Sequence, residues 1–433
     1  MKFGGTSVGS PARMCHVASL VTATPGRKIV VLSAMSGTTN ALVEICDMLA
    51  AGRRDAAADA LDGLRSHYHG VAGELLEAAD ARRNADAAVD RIFDSAARSA
   101  SAPFCDDRAK EILAVGELLS TTLFHEYLLL KGIDAALLPA LDFMTTGADG
   151  APRIDLIAER LKTLLAGTET ETIITQGYIC TNHRGAVDNL QRGGSDYTAT
   201  IIGAATDADC VEIWTDIDGM HTGDPRRVSP TRPVPRLSFA EALVLARAGA
   251  KILHPDCILP AMRAGVAVKL LNTLVPEAPG TTIGADTETS VKAVAVLDGM
   301  TLLRVKSTHE RPDVLFMHDV LTAISATQAE AVTVADASAL ALYAGDERAD
   351  EALRNLPSDA IAATESNVSV VTVAGGDTAA VTAAMGRCLA DKACRTCMMA
   401  TTAADGCAFR LAVPATNADT VLKSINNILF NHQ

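Results

Sequence analysis

Several short segments of this 433-residue chain combine glycines with a cation or a carboxylate. The first is KFGGTS, in which Lys2 stands just ahead of Gly4 and Gly5. Glycines let the backbone approach a phosphate closely, and an ammonium beside them would supply charge. Taken alone, GGTS is more often an ordinary turn. The pattern is not a Walker loop, because GxxxxGK[ST] is absent.

A second glycine pair lies in QRGGSD, residues 191–196, directly before a run with helical spacing. Paired glycines at a helix N-terminus expose unpaired N–H groups to an anion. Arg192 can hold a carboxylate with two N–H donors. A favourable charge in the first turn of a helix explains Asp196 by itself, but it does not explain the RGG before it.

Two more segments carry carboxylates that the sequence can place in more than one role. WTDIDG, residues 214–219, leaves a predicted strand at its C-terminal end, where open α/β sheets bind ligands, although a polar turn explains it equally well. Glu117 is a lone carboxylate in the apolar run ILAVGELLS. It is either solvated on a helix face or directed into a polar site, and the sequence leaves both open.

The elements that must position these residues follow from hydrophobic periodicity. Residues 28–33, KIVVLS, predict a buried strand that leads into a hydroxyl-rich loop and a helix ending at Gly52. Residues 53–101 predict two or three helices, and residues 108–131 predict one long helix. Strands and helices then alternate as far as residue 272, which indicates an α/β sandwich with a mostly parallel sheet.

A change of composition at VPEAPGTTIGADTETS places a domain boundary near Asp286. The remaining stretch of about 145 residues suits two small α+β units, each with a strand, a helix and a strand. We therefore expect a catalytic domain over residues 1–286 and two further domains over residues 287–364 and 365–433.

The net charge, the hydropathy pattern and the cysteine content exclude several classes of protein. A formal net charge of −14 gives no long-range attraction to nucleic acid or to an anionic membrane. The sequence contains no uninterrupted apolar run of about 20 residues, so it predicts no membrane span. The segment MKFGGTS lacks the apolar stretch of a secretory signal. Ten scattered cysteines favour reduced thiols, so we expect a cytoplasmic protein.

Taken in order, eight segments resemble the aspartate kinase family of the amino-acid-kinase superfamily over residues 1–284. They are KFGGTSVG, VVLSAMSGTTN, VGELLS, QGYI, RGGSDYTA, WTDIDGMHTGDPR, GAKILHP and PGTTIG. The resemblance implies transfer of the γ-phosphoryl group of ATP to the β-carboxylate of L-aspartate, the first step toward lysine, threonine and methionine. It also implies Mg²⁺ carried mainly by the ATP phosphates, with no metal site of the protein's own.

The resemblance assigns a role to each matching residue. Lys2 would contact the transferred phosphoryl group, and Asp196 would orient Lys2 and the substrate. Aspartate would be held by Ser33, Thr39, Glu117, Tyr178, Arg192 and Ser195. The nucleotide would be bound by Gly4, Gly5, Thr6, Gly194, Thr215, Asp216, His221, Arg226 and Lys251. Three positions depart from the family pattern: Tyr178 replaces the usual Phe, His221 a common Tyr, and Gln191 a Gly.

The C-terminal part resembles the paired ACT regulatory domains of that family. This implies an amino-acid effector and a homo-oligomer. The chemistry itself needs no general base, because the aspartate carboxylate is ionised at neutral pH. Lys2 and Arg192 are expected on opposite sides of one pocket, the first facing the nucleotide and the second facing the amino acid.

Two other functions compete with this interpretation. One is a related kinase that acts on glutamate, acetylglutamate or a nucleoside monophosphate, although Arg192 with Glu117 favours an amino-acid substrate. The other is an amino-acid sensor whose kinase half is inactive. The presence of Lys2, Arg192, Asp196 and Asp216 argues against the sensor.

Overall fold

The computed structural model divides the chain into two compact units. The first comprises Met1–Gly219 and Leu253–Ala285, and the second comprises Met220–Ile252 and Asp286–Gln433. The residues that the structure describes are 1–190, 193–250, 253–285, 290–376, 381–383, 386, 397–403 and 406–430.

A mostly parallel sheet forms the centre of the first unit. Its strands are β1 (Lys2–Phe3), β2 (Lys28–Leu32), β3 (Ala135–Leu137), β4 (Thr172–Gln176), β7 (Cys210–Thr215), β9 (Ala267–Asn272) and β10 (Thr281–Gly284). They lie in the order β3-β4-β2-β1-β7-β9-β10. All neighbours are parallel except β9 and β10. A separate antiparallel hairpin joins β5 (Ile179–Thr181) to β6 (Val187–Asn189).

The first unit contains nine helices in the described ranges. They are α1 (Pro11–Ala23), α2 (Thr38–Ala50), α3 (Arg54–Leu75), α4 (Ala79–Ser101), α5 (Asp106–Leu113), α6 (Val115–Leu130), α7 (Ile154–Ala166), α8 (Gly194–Ala205) and α10 (Pro255–Ala264). Their starts follow from local chemistry. Ser10 accepts a hydrogen bond from the backbone of Arg13 and Pro11 fills the first turn of α1, whereas His254 and Pro255 begin α10 in the same way.

The short strand β1 is central because it lies between β2 and β7. Lys2 is opposite Val31 on one side and Ile213 on the other. Phe3 is completely buried and stacks on Trp214 with ring centroids 5.8 Å apart, a contact that contributes about 0.5–1.5 kcal/mol beyond its buried area. The loop after β1 therefore starts at a fixed point on the C-terminal edge of the sheet.

The long helix predicted for residues 108–131 is two helices, α5 and α6, so that prediction was wrong. The break falls at Ala114, which is buried and carries no Gly or Pro signal. The whole stretch Asp106–Leu130 is long and apolar enough to cross a membrane by length and composition. However, 67% of its most apolar window is buried inside the protein, as in the core helix of a globular domain.

An antiparallel sheet forms most of the second unit. Its strands are β11 (Val291–Ser307), β12 (Ala331–Ala335), β13 (Ser338–Ala344), β14 (Ala360–Gly375), β15 (Cys397–Ala403) and β16 (Gly406–Pro414), in the order β12-β13-β11-β14-β16-β15. The unit also contains β8 (Arg236–Ser238) and the helices α9 (Phe239–Arg247), α11 (Asp313–Ala326), α12 (Asp346–Arg354) and α13 (Ala418–Phe430). The helix expected in the second of the two C-terminal α+β units falls at residues 378–391, which lie largely outside the described residues.

Two long strands are shared between separate apolar cores of this unit. Val294 in the first half of β11 packs in one core with Phe409 and Ile425, whereas Leu303 in its second half packs with Phe316. Strand β14 pairs with β11 along both halves. The predicted fold class, a mostly parallel α/β sandwich followed by α+β structure, is confirmed. The boundaries at residues 286 and 364 remain a prediction.

Candidate active site

A cavity of about 510 Å³ opens in the first unit where three helices begin. The first turns of α2, α6 and α8 all contribute to its wall. An N-terminal turn of a helix presents unpaired N–H groups and a positive dipole end, so three of them favour an anionic ligand. The cavity is lined by Gly5, Ser33, Ala34, Met35, Ser36, Gly37, Thr39, Asn40, Glu117, Tyr178, Leu190, Gly193, Gly194 and Ser195.

Among the described residues of that wall, Glu117 is the one that is acidic. It is 4% exposed, and its Oε2 has no hydrogen-bond partner in the described structure. Burial raises the pKa of the Glu117 carboxyl to about 7, while the backbone N–H groups of Ala34 and Glu117 and the charge of Lys2 act in the opposite direction. A buried carboxylate with an unused oxygen in a cavity is suited to a cationic group of a ligand. Of the two alternatives that the sequence left open, the structure supports the polar site.

A mostly buried ion pair lies beside the cavity. Nζ of Lys2 is 2.6 Å from Oδ1 of Asp196, which directly follows Ser195 of the cavity wall. The backbone at Gly4 is close to the same ammonium, because a Cβ built there would be 3.5 Å from Lys2 Nζ. The ammonium is thus held at the point where the β1 loop meets the start of α8.

The glycines of the site permit contacts that any side chain would prevent. A Cβ at Gly5 would lie 2.8 Å from the carbonyl oxygen of Ala34. A Cβ at Gly194 would lie 2.6 Å from Cδ2 of Tyr178. The backbone of the β1 loop and of the α8 start can therefore approach the cavity closely.

Tyr178 adopts a left-handed backbone conformation with φ of 66°, which is uncommon for a residue other than glycine. Its N–H donates to Thr198 Oγ1 at 3.0 Å, and its carbonyl accepts from the N–H of Leu190 at 2.7 Å. Strained residues of this kind are concentrated at functional sites. The turn at Tyr178 also separates β4 from β5.

The predicted site residues fall into five groups. Ser33, Thr39, Glu117, Tyr178, Ser195, Gly5 and Gly194 line one cavity, and Lys2, Asp196 and Gly4 lie next to it. Thr6, Thr215 and Asp216 are outside the cavity wall, although Gly4 N–H donates to the carbonyl of Trp214 at 3.3 Å. His221 and Arg226 belong to the second unit. Arg192 and Lys251 lie outside the described residues, so the expected pairing of Lys2 and Arg192 across one pocket remains a prediction.

His221 and Arg226 have local partners in their own unit. Nδ1 of His221 is 3.0 Å from Thr231 Oγ1. Arg226 donates twice to Asp224, at 2.9 and 2.7 Å, and its side chain is largely exposed. The nucleotide-binding roles expected for these two residues remain predictions.

Several cavity residues were not selected from the sequence. Asn40 follows Thr39 in the first turn of α2, and Met35 and Ser36 belong to the preceding loop. Their position directly after a buried strand could have identified them from the sequence, because the ends of parallel strands in α/β sheets carry binding loops.

Comparison with known proteins supplies independent information. The amino acid kinase family model matches residues 1–272. Lysine-sensitive aspartokinase 3 of Escherichia coli K12 is 35% identical over 314 residues, which are 71% of this chain and 69% of that protein. The chloroplastic bifunctional aspartokinase/homoserine dehydrogenase 1 of Zea mays is 32% identical over 71% of this chain, but the match spans only 35% of that longer protein.

Solved structures match over almost the whole chain. Aspartokinase III of E. coli in complex with aspartate and ADP has a TM-score of 0.82 and 28% identity, with 99% of each chain covered. The aspartate kinase of Clostridium acetobutylicum has a TM-score of 0.81 at 20% identity, also over 99% of each chain, which supports the fold alone.

Proposed function

This chain belongs to the aspartokinase family, within the amino acid kinase family, and from that premise we propose that it transfers the γ-phosphoryl group of ATP to the β-carboxylate of L-aspartate. One observation carries the proposal: a buried carboxylate with an unused oxygen, Glu117, lies in a cavity built from three helix N-terminal turns. Such a cavity suits a small zwitterion, with the ammonium at Glu117 and the carboxylates at N–H groups.

The amino acid would be held by the cavity wall. In this proposal Glu117 pairs with the α-ammonium, and Ser33, Thr39 and Ser195 donate to carboxylate oxygens. Tyr178 closes one side of the cavity, and Arg192 grips the α-carboxylate with two donors. The bound aspartate and ADP of the E. coli enzyme support this class of ligand.

The phosphoryl group would pass from the nucleotide side to this cavity at the Lys2–Asp196 pair. The acceptor carboxylate is already ionised, so no residue has to remove a proton from it. The remaining task is to bring two anions together in line and to stabilise charge on the transferred group, and a fixed ammonium and N–H donors do this. We assign Lys2 to the transferred group, Asp196 to orienting Lys2, and Gly4, Gly5, Thr6 and Gly194 to the phosphates.

The rest of the nucleotide would contact Thr215, Asp216, His221, Arg226 and Lys251. The described residues include no group of three or more His, Cys, Asp or Glu side chains that could hold a metal ion. A Mg²⁺ ion carried by the ATP phosphates fits this donor set, and when bound it would neutralise phosphate charge. The protein's own part is to bind and orient the two substrates.

The wider setting is also a proposal. As an aspartate kinase the protein would act in the cytoplasm at the first step toward lysine, threonine and methionine. The C-terminal unit would take an amino-acid effector and support a homo-oligomer. The lysine sensitivity named for the E. coli relative motivates a test with lysine first.

A coupled assay of ADP release tests the central claim. We expect turnover with L-aspartate that greatly exceeds turnover with glutamate, acetylglutamate or uridine monophosphate. Faster turnover with one of those three would overturn the assignment in favour of a related kinase, and no turnover with any of them would favour a sensor. Repeating the assay with lysine, threonine and methionine, and sizing the protein by light scattering, tests the effector and the oligomer.

A further inference from the structure

The loop between β2 and α2 forms one side of the cavity and is supported from behind by a helix that does not reach the cavity. Oγ1 of Thr38 lies 2.7 Å from the hydroxyl of Tyr68 on α3. Thr38 is 4% exposed and Tyr68 is completely buried. A hydrogen bond between two buried hydroxyls leaves either group without a partner when the other is removed.

Thr38 occupies a particular place at the start of α2. Gly37, Thr39 and Asn40 line the cavity, but Thr38 between them does not. The helix begins at Gly37 with φ of 86° and has no side-chain cap, so its first turn lacks the usual local anchor. The Thr38 hydroxyl bonds instead to a residue on another helix, and this bond fixes the turn that carries Thr39.

Tyr68 is itself firmly held. Its ring packs against Phe93 of α4 with centroids 6.1 Å apart, within the main apolar core of the first unit. Burial raises the pKa of the Tyr68 phenol above its usual range, so the hydroxyl stays neutral. Gly116 of α6 also packs closely against this loop. A Cβ added at Gly116 would lie 3.3 Å from Thr38 Cγ2 and 2.6 Å from Ala34 Cβ, so the loop has little room to move.

We propose that Tyr68 is a positioning residue for the amino-acid substrate: its hydroxyl holds Thr38, and through Thr38 it sets the orientation of Thr39 and Asn40 in the cavity wall. The inference rests on the proposed function. Tyr68 does not touch the substrate. We expect its effect to be largest on the α2 side of the cavity, which carries Thr39 and Asn40.

The closing experiment uses two isosteric substitutions in the full chain. Tyr68→Phe and Thr38→Val each remove one hydroxyl, and each is expected to raise the KM for aspartate about five- to tenfold, with kcat and the KM for ATP within about twofold. The double variant is expected to be no worse than the more affected single variant, because both changes remove the same bond.

Tyr127→Phe is the matched control, since Tyr127 is a buried tyrosine of the same core whose hydroxyl faces Cys15 instead of the cavity loop. It should lower the melting temperature by a similar amount without a selective change in the KM for aspartate. Equal shifts of both KM values in Tyr68→Phe, or no shift, would overturn the proposal.

Hydrogen exchange separates this inference from the proposed function. The amides of Ser36 and Thr38 donate to Gly5 and Met35 carbonyls, so they report the order of the loop without any substrate. Faster exchange of these amides in Tyr68→Phe than in Tyr127→Phe supports the positioning role even if the wild-type chain does not phosphorylate aspartate. Unchanged exchange would refute it.

Discussion

Lys2 and Asp196 are far apart in the sequence of the first unit, and their charged atoms are 2.6 Å apart. Lys2 is in the central strand β1 and Asp196 is in the first turn of α8. The pair therefore links the two glycine loops directly, and it places one mostly buried cation beside the cavity. A cation held by a carboxylate in this way is preorganised for charge that develops on a transferred group.

Lys2→Ala is expected to lower kcat by about 10²- to 10³-fold or more, because it removes charge stabilisation in the transition state. The fold should persist, since β1 keeps its backbone pairing and Asp196 is partly exposed to water. Steady-state kinetics and circular dichroism measure the two effects. Lys28→Ala, at the opposite end of the neighbouring strand β2, is the matched control and should retain activity. A Lys2→Ala enzyme with near-normal kcat would contradict the role assigned to Lys2.

Aspartate binding should depend on pH through Glu117. With the pKa of this carboxyl near 7, the side chain is neutral in more acidic solution and cannot pair with a substrate ammonium. The KM for aspartate should therefore rise as pH falls below about 7, approaching tenfold per pH unit. Glu117→Gln should raise the KM by about 10- to 100-fold at higher pH and remove this dependence. A pH profile of KM that is identical in both enzymes would rule out the role of Glu117.

The same shift has a consequence for stability. The folded chain binds a proton at Glu117 more tightly than the unfolded chain, whose reference pKa is 4.5. The contribution of this group to the free energy of unfolding should therefore fall as pH rises from 4.5 to about 7, in the absence of substrate. Urea denaturation of the wild type and of Glu117→Gln across that range measures the difference.

Gly177→Ala should disable the site through a steric clash. A Cβ at this position would lie 2.5 Å from Cβ and 2.8 Å from Cα of Ser195, so the start of α8 must move. We expect kcat/KM to fall by about 10²-fold and the free energy of unfolding to fall by about 1–3 kcal/mol.

Gly63→Ala provides the control for that substitution. Gly63 is an exposed residue within α3, and a Cβ there meets nothing within 4 Å. Alanine favours a helix interior over glycine, so stability should rise by about 0.5–1 kcal/mol with unchanged activity. Comparable kinetic losses in both variants would show that the Gly177 effect is not specific to Ser195.

His69 links α3 to α4 and should make stability depend on pH. Its Nδ1 is 2.7 Å from Asp86 and its Nε2 is 3.0 Å from Asp90, and the hydrogen bond with Asp86 is the main cause of a raised His69 pKa. Its contribution is therefore complete below the unfolded pKa of 6.5 and is lost as pH rises through the folded value. Because the group is partly exposed, it is worth less than about 1 kcal/mol.

The measurement is the difference in the free energy of unfolding between wild type and His69→Gln. It should be largest below pH 6.5 and should decrease as the pH rises above that value. A difference for His69→Gln that stays constant over this range would contradict the assignment.

The order of the motifs along the chain identified more residues of the site than any single motif did. The resemblance to aspartate kinases, which the comparisons confirm, grouped Ser33, Thr39 and Glu117 before their proximity was visible. Periodicity alone identified β2, α2 and α8 but gave no reason to bring their ends together. The roles of the individual residues remain predictions, and Thr38 with Tyr68 was not anticipated because two hydroxyls far apart in the chain leave no sequence signal.

Local signals failed where the tertiary structure overrides them. Asp298 and Gly299 form a turn-like dipeptide, and Gly299 has φ of 73°, yet β11 continues through them with a shift of register against β14. A β-bulge absorbs such residues without ending a strand. Similarly, Tyr178 holds a conformation that no propensity assigns to tyrosine, because contacts with Thr198 and Leu190 fix it.

The bulged β11 strand also limits how the C-terminal half can be dissected. Its residues before the bulge serve one core and its residues after it serve another, while β14 runs alongside both. A fragment that ends within β11 or β14 would remove part of the sheet that covers at least one of the two cores. Neither core can therefore be exchanged as a separate module. An exchange of this half between homologues would therefore have to carry β11 and β14 together, with the Met220–Ile252 segment of the same unit.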